Sequence, residues 1–149
     1  MMGLDVGERR IGVAIADELG LVASPLTAVR RGPRDLHDIA SLARHHNATR
    51  LVVGLPTGLS GREGPQARTV RDFAGELATI MSDDYTIEFW DERLTTTIAE
   101  RTMRDRGEKT NKHDGRIDAM AAAIILQGFL DAIRSRKLRQ GVSDCGLAE

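Results

Sequence analysis

Aromatic residues are nearly missing from this chain. Among 149 residues there are three Phe, one Trp and one Tyr. A chain of this length fits one compact domain that buries roughly 70% of the surface its unfolded form exposes. With so few rings, that core must rest on Leu, Ile, Val and Ala. Cysteine is scarcer still: Cys145 is the only one, in a polar stretch near the end. Disulfide frameworks and cysteine-rich zinc sites within one chain are therefore excluded. No run is apolar enough to span a bilayer, and the opening MMGLDVGERR does not read as a signal peptide. No membrane partner and a cytoplasmic location are expected. Internal repeats and low-complexity blocks are also missing.

The net charge of −1 argues neither for nor against nucleic acid as a partner. What is present is arginine, with 18 of the 21 basic residues of this type. They cluster as Arg9-Arg10, as Arg30-Arg31 with Arg34, and as Arg101, Arg104 and Arg106 leading to Lys109 and Lys112. The planar guanidinium grips phosphate bidentately. Alone, such clusters are ordinary solvated surface. They gain meaning only if the fold gathers them beside an acidic site.

Three extended runs come first. Gly3 to Asp5 is short and stops at Gly7, RRIGVAIAD ends at Asp17, and LVASPLTAVR follows a turn at Gly20. Their closeness predicts an antiparallel meander with a hairpin at Gly20. The period then changes. RDLHDIASLARHH places Leu36, Ile39, Ala40 and Ala43 on one helical stripe. Arg50 to Leu55 is a fully apolar strand, as in the middle of a covered sheet. The glycine-rich PTGLSGREG leads to Pro65 and a helix to about Met81, with Val70, Phe73, Ala74 and Leu77 inward. YTIEFW is the last strand and ends at Asp91-Glu92. A helix from Thr95 to Arg106, a polar stretch, and a long helix from about Arg116 to Lys137 complete the order. The long helix is apolar nearly all round AMAAAIIL, which predicts full burial. The domain is expected over residues 1–138, with 139–149 as a flexible tail.

The β-β-β-α-β-α-β-α-α order predicts an α/β fold. Its five-stranded mixed sheet has three antiparallel strands, then two parallel ones, with helices on both faces. The ends of the first, fourth and fifth strands then converge where open α/β sheets place ligands.

Three acids fall near that place. Asp5 lies inside an apolar strand, where a carboxylate is costly unless neutralised. Asp91 and Glu92 end the last strand. Adjacent strand residues point to opposite faces, so only one of the two can serve a given site, and spacing leaves the choice open. Asp118 opens the long helix. A lone Asp there is usually a cap, but Asp114 is better placed for that role, which frees Asp118. Three bare carboxylates would repel one another, and divalent Mg²⁺ or Mn²⁺ removes the repulsion through hard oxygen ligands. Paired metals of this kind drive phosphodiester hydrolysis without a Ser or Cys nucleophile.

The four histidines, His37, His45, His46 and His113, lack zinc spacing. They read as surface, with His113 near enough to Asp118 in sequence to assist proton transfer. GLPTGLSGREG lacks the GK[ST] ending of a Walker A loop. Its glycines could let backbone amides approach a phosphate. Arg62 and Arg68 could hold a nucleic-acid backbone beside the acids.

LDVGERRIGVAIAD, VVGLPTGLSG, WDERLTT and RIDAMAAAIILQGFL, in this order and spacing, closely resemble the YqgF family of bacterial nucleases. These are also known as Holliday junction resolvases of the RuvX type, within the RNase H-like superfamily. The resemblance runs from Leu4 to about Asp131. It implies an RNase H-like fold, a Mg²⁺ or Mn²⁺ nuclease, and roles in processing the 5′ end of the small-subunit rRNA precursor (pre-16S rRNA) or in resolving DNA four-way junctions. The partners implied are precursor rRNA and branched DNA. Two symmetric cuts in a junction would also imply a homodimer.

The family's acidic positions fall on Asp5, Glu92 and Asp118, and it is this resemblance that prefers Glu92 to Asp91. Arg9, Arg10, Arg62, Arg68, Arg93 and Lys112 are the expected nucleic-acid contacts. Resolvases of this fold often carry an acid or His three residues before the last Asp. Here that position is Gly115, and Asp114 is one residue off.

Two other readings compete. An actin-like ATPase also begins with DxG and a hairpin, but it needs two such domains. A non-catalytic nucleic-acid-binding module of ribosome assembly would have no need of all three acids.

Overall fold

The computed structural model describes residues 1–57, 62–91 and 115–147, with side chains through 141. Strands β1 (Met2–Val6), β2 (Arg10–Ala16) and β3 (Ala23–Arg30) form the expected antiparallel meander. Helix α1 (Asp35–His45), strand β4 (Arg50–Leu55), helix α2 (Pro65–Ile80), strand β5 (Thr86–Asp91) and helix α3 (Gly115–Leu147) follow. The sheet order is β3-β2-β1-β4-β5, with β1, β4 and β5 parallel. The predicted helix from Thr95 to Arg106 and the proposed cap at Asp114 lie outside the described residues.

Gly20 turns the β2–β3 hairpin at a φ of +67°, a left-handed conformation that glycine adopts without cost. Asp17 completes the turn. Its Oδ1 accepts the amide protons of Leu21 at 2.7 Å and Val22 at 3.2 Å. These bonds hold its carboxyl below the usual Asp range. Leu21 and Val22 are consequently exposed turn residues, and β3 starts only at Ala23, two residues later than the apolar run implied.

The sheet separates two apolar layers. On one face Met2, Leu4, Ile11 and Val13 meet Ile39, Ala43, Val70, Phe73 and Leu77 of α1 and α2. The other face carries Ala14 and Val52 against Ala122, Ile125, Leu126 and Phe129 of α3. Most of the filling is aliphatic, with one buried Phe in each layer. Each large side chain of this kind contributes roughly 1.5–3 kcal/mol on burial.

Two features of α3 depart from expectation. Ala119, Ala122, Ala123, Ile125 and Leu126 are buried, but Met120, Ala121 and Ile124 are only half-buried. One helix face touches the sheet, and the short alanines allow the rest to reach solvent. The helix also runs on to Leu147, through most of the stretch expected as a tail. Nothing between Leu138 and Leu147 is a proline, so every residue there keeps the amide donor a helix needs. None of the described helices is long and apolar enough to cross a membrane.

Candidate active site

The three parallel strands end at one edge of the sheet, with Leu55 level with Asp91. Asp5 stands one residue from the end of β1 and pairs across the antiparallel ladder with Gly12 of β2. Residues directly opposite in such a ladder share a face. The shared face here is that of α3: a Cβ added to Gly12 would run into the backbone of Asp118, and one on Gly3 would come within 2.9 Å of the Ala122 carbonyl oxygen. Glycine at both positions lets the helix backbone rest directly on β1 and β2. Asp5 and Asp118 are thereby brought to the same face and the same edge from positions far apart in sequence.

Asp118 lies in the first turn of α3. Arg10, on the same face of β2, donates from Nε to Asp118 Oδ2 at 2.7 Å. Both side chains are about a quarter exposed, so the pair is partly shielded from water. Arg10, expected to contact nucleic acid, is paired in this fold with the carboxylate of the helix and keeps a quarter of its side chain exposed. Two residues before Gly12 on the strand is the position that reaches back to Asp118. That neighbourhood exists only once α3 is docked.

At β5, Trp90 faces α3, with its ring edge-on to Phe129 at 6.0 Å. Phe89 faces α2, beneath the guanidinium of Arg71. By strand alternation Asp91 turns to the α2 side, away from Asp5 and Asp118. There Thr57 Oγ1 donates to Asp91 Oδ1 at 2.6 Å, and Thr57 bridges Glu63. Asp91 thus anchors Thr57, at the start of the glycine-rich connection after β4, and the bridge carries that anchor to Glu63. Glu63 is also ion-paired with Arg71, which holds its carboxyl below the usual range and pushes the guanidinium up. Glu92, Arg93, Lys112, His113 and Asp114 lie outside the described residues. Among the described residues, no three carboxylates or imidazoles come together as a metal-binding group. His37 and His45 are exposed and His46 half-buried, in or beside α1.

Asp5 also borders a cleft of about 350 Å³ at this edge, with Glu8, Pro56, Gln66 and Thr69 around it. Arg62 and Arg68, expected beside the acids, are exposed before and within the first turn of α2. Arg9 is exposed in the β1–β2 turn. Arg31 serves the scaffold: it donates from Nη1 to the Gly7 carbonyl and from Nε to Asp35, each at 3.0 Å, and lies over Phe73. Arg30, read from sequence only as part of an arginine cluster, and Arg116, not read as a site residue, line a second cleft that Arg10 shares. The usable signal was alternation, because Arg30 shares the α3 face with Ala28.

Comparison with known proteins agrees with this architecture. The family model described as "RuvX: Holliday junction resolvase" matches residues 1–132. A "Putative pre-16S rRNA nuclease" of Roseiflexus sp. (strain RS-1) is 51% identical over 136 residues, covering 90% of this chain and 95% of the relative. One of the same name from Symbiobacterium thermophilum is 45% identical over 136 residues, covering 90% and 93%. Among solved structures, T. thermophilus RuvC in complex with Holliday junction substrate matches with a TM-score of 0.55 at 14% identity, covering 89% of this chain and 94% of that one. The fowlpox virus resolvase with Holliday junction DNA matches at 0.53 and 7% identity, covering 89% and 97%. These two structural likenesses establish the RNase H-like fold, while the family model and the relatives carry membership: the chain belongs to the RuvX family.

Proposed function

We propose that the chain is a divalent-metal-dependent nuclease that hydrolyses phosphodiester bonds of structured nucleic acid, with Asp5, Glu92 and Asp118 as metal ligands. The observation that carries this reading is the placement of Asp5 opposite Gly12, directly where the backbone of Asp118 rests on the sheet. Two acids from distant segments lie on one face, and carboxylate oxygens are donors suited to Mg²⁺ or Mn²⁺. Asp118 already takes a cation, the guanidinium of Arg10. Glu92 is assigned the third position from the family's acidic motif, and Asp91 faces α2, where it accepts a hydrogen bond from Thr57.

When bound, such metals lower the pKa of an attacking water and neutralise the leaving oxygen. The chain's own contribution is to position and to bind. Asp5 is held by the β1–β2 ladder and Asp118 by the contact of α3 with Gly12. Arg10 orients the Asp118 carboxylate. Arg9, Arg10, Arg62, Arg68, Arg93 and Lys112 take backbone phosphates of the substrate. The names of the relatives support precursor rRNA as one substrate, and the RuvC and fowlpox complexes support branched DNA as another. Symmetric cutting of a junction would call for a homodimer.

The test is cleavage of four-way junction DNA and of precursor rRNA with Mn²⁺, comparing the wild type with Asp5→Asn. Loss of cleavage in the variant supports the reading. Equal cleavage by both would place the activity elsewhere.

A further inference from the structure

Arg10 and Arg30 are direct cross-strand partners of β2 and β3. Like charges in that position destabilise a sheet unless an anion joins them. Asp118 answers for Arg10. The outward side of the pair opens into a cleft of about 650 Å³ between β3 and the first two turns of α3. Arg10, Arg30 and Arg116 rim it, and Pro25, Ala28 and Met120 supply apolar wall. No Asp or Glu among the described residues lines it. Arg30 and Arg116 are exposed, so a ligand can reach both from solvent. Because Arg10 belongs to the cleft and also binds Asp118, the cleft adjoins the proposed catalytic edge.

We propose that this cleft is a subsite for one unpaired nucleotide of the substrate strand. Arg30 and Arg116 hold its phosphate, and its base lies against Pro25, Ala28 and Met120. This rests on the nuclease reading above and adds to it a preference for locally unpaired strands. Size and lining favour a nucleotide over a bare phosphate. Pockets of roughly 300–1,000 Å³ enclose molecules of that size, and an apolar wall has nothing to offer an inorganic anion. A paired duplex cannot insert a single residue, whereas an unpaired one can present its phosphate to arginine and its base to an apolar or guanidinium plane.

The experiment measures affinity in Ca²⁺, with hydrolysis suppressed, for two matched substrates: a fully paired duplex and the same duplex with a three-nucleotide overhang. DNA and RNA versions are run side by side to tell which sugar the cleft accepts. The wild type is expected to prefer the overhang. Arg30→Gln and Arg116→Gln should each reduce that preference by about tenfold, the size of one charge-assisted hydrogen bond. Each should also lower the salt slope of overhang binding by about one. Met120→Glu, which places a negative charge on the apolar wall, should abolish the preference, with its fold checked by thermal melting. Arg44→Gln, on α1 across the sheet, should keep it.

An overhang preference that survives in Arg30→Gln and Arg116→Gln, or its absence in the wild type, overturns the subsite. Wild-type protein that cuts nothing, yet loses overhang preference with Arg30, would overturn the nuclease reading and leave the subsite standing.

Discussion

The backbone of Asp118 occupies the space that a side chain on Gly12 would fill. One contact between β2 and α3 therefore sets the distance from helix to sheet and also the position of a proposed metal ligand. Gly12→Ala would force the first turn of α3 off the sheet, and backbone atoms yield less readily than side-chain ends. A loss of about 3 kcal/mol is expected, at the severe end for overpacking. Gly75 makes the contrast, since it lies exposed within α2 with open space around it. Gly75→Ala should gain about 0.5–1 kcal/mol. Denaturant unfolding of the two variants checks both signs.

Asp118→Asn should separate function from stability. The Arg10 pair is partly exposed, so its loss costs at most about 1 kcal/mol. Cleavage should fall by at least about a hundredfold, because even indirect partners of a metal are worth up to that much. A large drop in melting temperature measured without metal would instead make the residue structural.

Asp91 is expected to behave differently from its neighbour in the acidic pair. Thr57→Val removes its hydrogen bond to Asp91 and should cost about 1–2 kcal/mol, Asp91→Ala at least as much, and the double variant little more than Asp91→Ala alone. Asp91→Asn keeps an acceptor for the Thr57 hydroxyl and should retain more cleavage than Asp118→Asn. Additive losses in the thermodynamic cycle would mean that the two side chains act independently.

Nucleic-acid binding should weaken steeply with salt. On a log–log plot against salt concentration the affinity should fall linearly, by about 0.9 per duplex phosphate neutralised. A flat response would remove the arginines from the binding face.

The hairpin at Gly20 should respond to acid. Asp17 has a folded pKa below its ordinary value of 3.8 because amides donate to it. Its contribution is complete above that ordinary value and is lost as pH falls through the lowered one. The amide resonances of Leu21 and Val22 should titrate with a midpoint below 3.8, and Asp17→Asn should abolish the transition.

Much of the architecture was legible in residue order because periodicity is local. The stripe Ile39, Ala40 and Ala43 and the stripe Val70, Phe73, Ala74 and Leu77 are buried as their spacing implies. The antiparallel-then-parallel sheet follows from three close strands and two crossovers. Burial of α3 was overestimated because alanine is apolar enough to suggest a core position yet small enough to tolerate half-exposure. The duties of single arginines were less legible, since Arg10, Arg30 and Arg31 are near-identical in local context. One pairs with Asp118, one opens to a cleft, and one ties the Gly7 turn to α1.

By itself the sequence determined the order of the described elements and the family, because these depend on hydrophobic period, turn residues and ordered motifs within short stretches. Only the tertiary structure decided that Asp5 and Asp118 share a face while Asp91 turns from it, and that Arg10 serves a carboxylate. Those relations depend on ladder register and on the docking of α3 against glycine, and no spacing along the chain encodes which distant backbone will fill the space a missing side chain leaves.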